Sequence, residues 1–361
     1  MHFIKRAFAL GLVVASVSAF RIPKGCPPFK GSFNVSVLDL YPESADWDPV
    51  HCKIYFGLLY NASVAVYDPY QQKLDEVITF PGITGNDDYT ISGIDYDGFG
   101  SMYFAATSYT AIQSLTAATG LPANFTGPNR IIRYDTNAHK AAWISNLVPI
   151  QNDIFKRTGS RVTVFQDMAE DSRGNAYVIA SIGSVVVKID PHGTPSIWYE
   201  PNNLTETLSS GGLVTIGDKL IINDRPGKGF LTFDTRQPKG KPVQVPAKGF
   251  PSDVAGSDGL VAPQKYEGKV LLWADDPFGT RVFGSNDGWT SAEYLGLVSI
   301  DSNLQALGGA TSDSFALGDT IYTVTEFFQA KRPVATMKEF QMLDITDAVD
   351  RLVKVWQGSC N

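Results

Sequence analysis

The chain has 361 residues, with 37 acidic against 30 basic residues and a net charge of −7 at pH 7. An acidic chain without a cluster of Lys or Arg excludes nucleic acid as an expected partner. After the first 19 residues no apolar run reaches about 18 residues, so we expect no membrane insertion of the mature chain.

Residues 1–19 have the pattern of a secretory signal, because Lys5 and Arg6 precede an apolar run that ends in small residues. Cleavage is expected after Ala19, which leaves 28 basic against 37 acidic residues and a net charge of −9. We therefore expect a secreted protein, or one held in the lumen of the secretory pathway. Residues 20–361 are predicted to form a single domain, and we expect a monomer.

Four sequons support this interpretation, since N-glycosylation acts on surface loops of secretory proteins. The predicted glycosylation sites are Asn34, Asn61, Asn124 and Asn203. The mature chain also has three cysteines, Cys26, Cys52 and Cys360, for which one disulfide and one free thiol is the simplest arrangement.

One pattern recurs six times along the chain: a small or polar head, a Gly/Asp turn, and a run of β-branched and aromatic residues. The equivalent positions in the six copies are Tyr55, Tyr103, Tyr177, Ile221, Leu271 and Tyr322. They are 48, 74, 44, 50 and 51 residues apart. Further alternating runs follow most copies, such as "SVAVYDP" and "LDEVITF". Four short strands per repeat of about 50 residues predict an all-β, six-bladed β-propeller. Helical periodicity is nearly absent.

The strand "FNVSVLDL", residues 33–40, precedes the first copy and has no blade of its own. We expect it to close the ring by joining the last blade, which removes an exposed edge. That closure would bring Cys26 near the C-terminus and favours a Cys26–Cys360 disulfide. Cys52 is the alternative partner.

The strand order assigns the two ends of the propeller. The polar heads begin the innermost strands and converge on one face, which we name the head face; the turns between first and second strands lie on the far face. His51, His139 and His192 all occupy far-face turns. We therefore expect neither a His-based triad nor a His-rich metal site at the head face.

Three long segments, 109–129, 148–164 and 327–337, are predicted to lie over the head face. Long loops of compact folds are often binding loops or lids. Their apolar side chains predict an apolar ligand; these are Leu115, Leu121, Phe125, Phe327 and Phe328. Insertions tolerated because they face water are the alternative.

Glu43, in "ESADWDP", is the strongest candidate because the repeat alignment itself places it at the axis. The other candidates at the head face are Tyr60, Ser92, Tyr109, Gln166, Asp167, Arg225, Trp273, Asp275, Asp313, Glu326 and Phe327. Structural roles stay open for several of them. Trp273 suits blade packing, Asp275 could order the following turn, and Asp167 could accept hydrogen bonds from strand amides. Arg225 could pair with Asp224.

The head "ESADWDP" with its strand and turn resembles the first blade of six-bladed calcium-dependent lactonases, the gluconolactonase and regucalcin group, and of their metal-free strictosidine-synthase-like relatives. In the lactonases a Glu of the first blade and later Asn and Asp residues hold a divalent cation that polarises the lactone. Glu43 matches that Glu, and Gln166–Asp167 stands at the Asn-Asp pair. The segment "SGGL", residues 210–213, lacks the ligand Asp. We expect no metal cofactor; calcium held by Glu43 and Asp167 is the alternative.

In overall design the chain is similar to secreted fungal propellers of secondary-metabolite clusters. These include the trichothecene-cluster propeller protein and the hetero-Diels–Alderases of tropolone–sesquiterpene pathways. The similarity implies a cycloaddition between a quinone methide and a polyene, for which proximity can supply about 7–11 kcal/mol.

Within that interpretation Glu43, Asp167 and Gln166 are the candidate catalytic residues, and the other head-face candidates bind the substrate. Hydrogen-bond donors to the developing oxygen charge would add to the effect of proximity. Two alternatives stay open: a calcium-dependent lactonase or esterase, and a non-catalytic propeller that binds a metabolite.

Overall fold

The computed structural model of the chain describes residues 25–115, 126–328 and 336–359. The predicted signal, Leu121, Asn124, Phe125 and Cys360 lie outside these ranges.

The described residues fold mostly into short strands. In chain order they are β1 (Phe33–Ser36), β2 (Pro42–Asp48), β3 (Lys53–Leu58), β4 (Ser63–Asp68), β5 (Lys73–Ile78), β6 (Tyr89–Tyr96), β7 (Ser101–Ser108), β8 (Arg130–Asp135), β9 (Lys140–Asn146), β10 (Thr163–Glu170), β11 (Ala176–Ile182), β12 (Val186–Ile189), β13 (Pro195–Tyr199), β14 (Leu213–Ile216), β15 (Lys219–Asp224), β16 (Gly229–Asp234), β17 (Val243–Lys248), β18 (Leu260–Val261), β19 (Val270–Asp275), β20 (Gly279–Gly284), β21 (Ala292–Ser299), β22 (Ala310–Leu317), β23 (Thr320–Glu326) and β24 (Glu339–Asp344). The helices are α1 (Tyr109–Leu115), α2 (Val148–Thr158), α3 (Ser302–Ala306) and α4 (Thr346–Ser359), with a 3₁₀ turn at Gln264–Tyr266.

These strands form a propeller-like, all-β fold, as predicted. Four sheets have four strands each: β2–β5, β6–β9, β10–β13, and β22–β24 completed by β1. The fifth sheet has eight strands, because the antiparallel meanders β14–β17 and β18–β21 join at their outer edges. That junction is a short parallel pairing of Ala247 with Ala292 and of Lys248 with Glu293. The first strands of the meanders lie side by side in the order β2, β6, β10, β14, β18, β22 and back to β2.

The core lies between neighbouring sheets and follows from the sequence repeat. All six aligned positions, Tyr55 to Tyr322, lie in second strands and are buried. Both faces of these strands are covered by adjacent sheets, so their residues are apolar on both sides. Tyr55 of the first meander, for example, stacks on Phe104 of the next at 6.4 Å between ring centroids.

The N-terminal strand closes the last sheet, as predicted. Strand β1 pairs antiparallel with β24, with Phe33 opposite Met342, and so covers the outer edge of that sheet.

The predicted Cys26–Cys360 pairing is wrong, because Cys26 is bonded to Cys52 with 5.5 Å between their Cα atoms. Cys52 lies in the turn between β2 and β3. The chain before Cys360 does not return to Cys26: it forms α4, whose Trp356 packs into the core formed with β19 and β20.

The near absence of helix was also a wrong expectation for two segments. Helix α2 occupies the long segment after β9. Helix α4 has Val349, Val353 and Trp356 on one buried face, at the spacing of an amphipathic helix. No helix among the described residues is long and apolar enough to cross a membrane.

Candidate functional site at the head face

The head of the innermost strand is bulged in four of the meanders. The register shifts between Pro42 and Ala45 in β2, between Ile91 and Ile94 in β6, and at the corresponding places in β10 and β22. Such bulges turn side chains away from the pleat and are common next to active sites. Here they hold the heads of the inner strands against one another around the axis.

Small residues at the heads are required by close backbone approach between strands. A Cβ atom on Gly93 would lie 1.8 Å from the carbonyl oxygen of Gln166, and one on Gly211 would lie 1.7 Å from that of Ser257. The serine–glycine heads that recur in the sequence are therefore packing requirements. They leave room at the axis for the longer acidic side chains of other copies.

Four carboxyl groups meet at the head end of the axis, and we name them the axial carboxyls: Glu43, Asp258, Asp313 and Glu326. Each is at most 8% exposed, and Glu326 is fully buried. They come from three different parts of the chain, namely β2, the loop before β18, and the sheet containing β22 and β23. A shared acidic site therefore forms only when the ring closes.

Hydrogen bonds hold two of the axial carboxyls in place. Asp313 accepts a hydrogen bond from the Ser44 hydroxyl at 2.7 Å and one from the backbone N–H of Ser314. Asp258 accepts a hydrogen bond from the Gln166 amide at 2.5 Å. Glu326 differs, because both of its oxygens are buried without a hydrogen-bond partner among the described residues.

Burial and mutual repulsion disfavour ionisation of the axial carboxyls. Loss of solvent raises the pKa of each well above its usual range, and this is the largest cause in all four. The charges of neighbouring acids raise the pKa values further. The charges of Asp258 and Asp313 raise the pKa of Glu43, and the charge of Glu43 raises that of Glu326. A neutral carboxyl group donates a hydrogen bond, so the head end presents donors.

Asp167 lies deeper along the axis, and both of its carboxyl oxygens accept hydrogen bonds from backbone N–H groups. One of its oxygens accepts the N–H of Met168 at 2.8 Å and the other accepts that of Leu213 at 2.9 Å. Burial raises its pKa to about 7 in spite of these bonds. Asp167 thus links β10 to β14, which is the amide-bonding role left open by the sequence.

Aromatic side chains gather beside the axial carboxyls at the head face. The Tyr41 ring lies 5.2 Å from that of Tyr60 and 6.5 Å from that of Phe327, and Tyr60 lies 6.2 Å from Tyr109. The Tyr60 hydroxyl donates to the carbonyl of Phe327 at 2.9 Å. We name Tyr41, Tyr60, Tyr109 and Phe327 the aromatic cover. Three of its members were predicted site residues, and Tyr41 was missed.

Several other candidates stabilise the fold instead of facing the axis. Trp273 is fully buried between Phe230 and Phe283, so its predicted place in the site is wrong and it packs between sheets. Ser92 hydrogen-bonds to Thr107 at 2.7 Å within its own sheet.

Asp275 and Arg225 organise the loop that carries Asp258. Asp275 is buried against Arg281 and accepts the N–H groups of Ala255 and Gly256. Arg225 donates to the carbonyls of Leu208 and Ala255 and does not pair with Asp224. Both are therefore positioning residues for the axial site.

The histidines lie in far-face turns, as predicted. His51 contacts Asp48 at 2.6 Å, and His139 contacts Glu76 at 3.3 Å. Of the sequons, Asn34, Asn61 and Asn203 are exposed. Their glycosylation stays a prediction.

The pair Glu43 and Asp167 does not fit the calcium site implied by the resemblance. Calcium takes six to eight oxygen ligands, whereas both Asp167 oxygens already accept backbone N–H groups. Across the described ranges, no three His, Cys, Asp or Glu side chains are arranged to share a metal ion. We therefore derive no step through calcium.

Four further acids whose pKa values are raised by burial were not among the predicted site residues: Asp46, Asp95, Glu170 and Asp276. A sequence signal existed for Asp46 and Asp95, which share one position in the copies "DWD" and "DYD". Asp258, which is not among the predicted site residues, stands in "SDGL" where another copy has "SGGL". When one copy of the repeat has an acidic residue where other copies have a small one, that acidic side chain is expected at the axis.

Comparison with known proteins gives one family and several relatives. A family model described as Mal s 1 allergenic protein-like matches residues 22–302. Trichothecene biosynthesis protein 14 of Trichoderma arundinaceum is 29% identical over 345 residues, covering 91% of this chain and 92% of that protein. Core trichothecene cluster (CTC) protein 14 of Fusarium sporotrichioides is 26% identical, covering 91% and 88%.

Solved structures show the same fold. The major Malassezia sympodialis allergen Mala s 1 superposes with a TM-score of 0.75 at 20% identity, covering 88% of this chain and 96% of that one. A gluconolactonase from Xanthomonas campestris superposes with a TM-score of 0.53 at 13% identity, covering 87% and 89%.

Proposed function

The chain belongs to the Mal s 1 allergenic protein-like family, and from this premise we propose that it is a propeller enzyme of fungal secondary metabolism. Its similarity to two trichothecene cluster proteins supports a role in secondary metabolism. The proposed reaction is an intermolecular hetero-Diels–Alder cycloaddition between a quinone methide and a polyene at the head face. The proposed substrates are small apolar metabolites, and no cofactor takes part.

One observation carries the proposal: Glu326 is fully buried with both carboxyl oxygens unpartnered. An unsatisfied buried polar group costs about 1–3 kcal/mol of stability, which a purely structural site has no reason to retain. Burial, and after it the charges of Glu43 and Asp258, raise the pKa of Glu326 and so favour its neutral form. A ligand oxygen would supply the missing partner.

The chemistry suits a neutral donor better than a base. In the cycloaddition the diene carbon and oxygen of the quinone methide each form one bond to the polyene double bond, and no atom is lost. Negative charge develops on the quinone methide oxygen as the new carbon–carbon bond forms. A preorganised carboxyl donor stabilises that charge in a site with little water, and a fixed pair of reactants removes part of the entropic barrier.

The aromatic cover is the proposed contact surface for the polyene. In it Tyr60 contacts both Tyr109 and Phe327, and Phe327 directly follows Glu326 in the chain. Helix α1 and the segment after β23, which supply two of these rings, begin two of the three long head-face segments that the sequence singled out.

We further propose that the eight-stranded sheet is two blades, so that residues 20–361 form one six-bladed domain. Among the described residues, only two parallel residue pairs join its two antiparallel meanders into one sheet. The Cys26–Cys52 disulfide supports passage through an oxidising secretory compartment. Monomeric state and glycosylation belong to the same proposal.

The test is cycloaddition of an o-quinone methide, generated in solution, with humulene in the presence of purified mature protein. Product rate and enantiomeric excess are measured by chiral chromatography. Glu326→Met, which removes the donor, should lower the protein-dependent rate by about a hundredfold. Glu326→Gln retains an N–H donor and should keep more of the rate than Glu326→Met.

Glu267→Gln serves as the control, because the Glu267 side chain is 81% exposed and should not affect the rate. A product that stays racemic at the uncatalysed rate overturns the proposal. Saturable binding of either substrate without turnover would instead make the protein a carrier. Activity that disappears on chelation and returns with calcium would favour the lactonase class.

A further inference from the structure

A second site lies at the other end of the axis. A cavity of about 460 Å³ is lined by the later halves of the inner strands and by their far-face turns. Its residues include Trp47 near the end of β2, Pro49 after β2, Gly98 after β6, and Gly318 after β22. That volume is within the range of about 300–1,000 Å³ typical of small-molecule pockets. The axial carboxyls lie toward the head end of the axis, except that Asp313 also lines this cavity.

The polar part of the wall has one sign of charge. Six acidic side chains line the cavity, and none of the described residues that line it is Lys, Arg or His. The remaining wall is mostly apolar, with Ile94, Met168, Leu213 and Leu260. A cavity with an apolar body and an acidic rim fits an organic ligand that carries positive charge.

Three of the acids form a linked group, which we name the channel carboxyls: Asp46, Asp95 and Glu170. The carboxyl group of Asp95 lies close enough to those of Asp46 and Glu170 for the three groups to interact electrostatically. Asp46 is also held by the backbone N–H groups of Trp47 and Tyr96, each at 2.7 Å. Three strands, β2, β6 and β10, thus present acids at one level of the cavity.

One polar atom at this level lacks a donor. Glu170 Oε1 is buried and receives no hydrogen bond from a nitrogen or hydroxyl donor of the described residues. The other acids of the wall are engaged: Asp97 faces Arg133 at 3.7 Å, and Asp167 and Asp313 accept backbone N–H groups. An ammonium group has three donors and satisfies such carboxylates directly.

We propose that the far-face cavity is a binding site for a small organic ammonium ion, held by the channel carboxyls with its apolar body against the cavity wall. A bare metal ion is the less suitable occupant, because the carboxyls of the described residues do not converge on one metal-sized position. This site is separate from the proposed cycloaddition and does not depend on it.

Binding should release protons. Burial is the main cause that raises the pKa of Asp46 to about 7 and that of Glu170 to about 8, with mutual repulsion adding to it. Burial and the charges of Glu170 and Asp46 also raise the pKa of Asp95, which lies between them. Asp48, Asp97, Asp167 and Arg133 are the further charged groups near this level. A cation stabilises the ionised carboxyls, so affinity should rise with pH.

The experiment is calorimetric titration of the mature protein with benzylamine, using benzyl alcohol as the neutral analogue and benzoate as the anion. We expect one benzylammonium per chain at pH 8, at least about tenfold weaker binding at pH 5.5, and no binding of the other two probes. Titration in phosphate and in borate, neither of which is an ammonium ion and whose ionisation enthalpies differ, measures the protons released.

Asp95→Asn keeps the shape of the group and should weaken benzylamine binding at least about tenfold. Glu326→Gln, at the opposite end, should leave it unchanged. If circular dichroism shows that Asp95→Asn is unfolded, Glu170→Gln takes its place. Benzylamine binding that is absent at pH 8, matched by benzyl alcohol, or unchanged in the folded variants overturns the proposal, as does tight competition by calcium chloride.

Discussion

Replacing Glu326 by Met should stabilise the protein while removing its proposed activity. Glu326 is fully buried and neither carboxyl oxygen has a partner, a state that costs about 1–3 kcal/mol. Met has a similar length and no group to desolvate. We therefore expect Glu326→Met to raise the free energy of unfolding by about 1–3 kcal/mol at pH 5.

The gain should increase with pH. Burial and neighbouring carboxyls raise the pKa of Glu326 in the folded state well above its usual value of 4.5. Above pH 4.5 the unfolded chain releases this proton while the folded chain keeps it, so the wild type loses stability as pH rises toward the folded-state pKa. The variant has no such group, and its advantage should grow by up to about 1.4 kcal/mol per pH unit.

The assay is urea denaturation followed by circular dichroism at pH 5, 6 and 7. Glu326→Gln is the matched control, because it keeps a buried polar group but cannot ionise. Its free energy of unfolding should therefore rise relative to wild type as pH increases, as for Glu326→Met. At pH 5 it should gain much less than Glu326→Met, because it still buries a polar group. A Glu326→Met protein that is less stable than wild type at pH 7, or whose advantage does not change with pH, refutes the reasoning.

Two further predictions concern the fold. The double variant Cys26→Ser/Cys52→Ser opens a loop of 26 residues and should lose about 3.5 kcal/mol in urea denaturation; a loss below about 1 kcal/mol would show that the N-terminal segment is held by packing alone. Gly93→Ala places a Cβ atom 1.8 Å from the carbonyl oxygen of Gln166 and should cost more than about 3 kcal/mol. Gly358→Ala, in helix α4 with no atom near its Cβ position, should instead gain about 0.5–1 kcal/mol, and equal thermal shifts for the two variants would contradict the packing argument.

The blade pattern was predictable because it depends on residues that are close together in the sequence. Alternation of apolar residues, Gly/Asp turns and regular spacing identify strands independently of their partners. Tyr55 and Tyr322, at opposite ends of the repeat series, both lie in second strands as expected. Helix α4 was missed because its Val349–Val353–Trp356 face occurs once, outside the repeat.

The candidate site was predictable only in part. Glu43 and Glu326 were identified because the alignment places strand heads and ends on one face. Trp273 was placed wrongly, since a side chain at the same face can turn between sheets instead of toward the axis. The alternation of a strand indicates two faces, and only the neighbouring sheet decides which of them is the core.

The sequence by itself determined the all-β architecture, the closing strand β1, the far-face histidines and the acidic character of the strand heads, since these follow from local pattern and chain order. Only the tertiary structure decided which carboxyls meet, that Cys52 is the partner of Cys26, and that the cavity lies at the far face. Those features depend on distances between residues far apart in the chain. Such distances are set when the bulged inner strands pack around the axis.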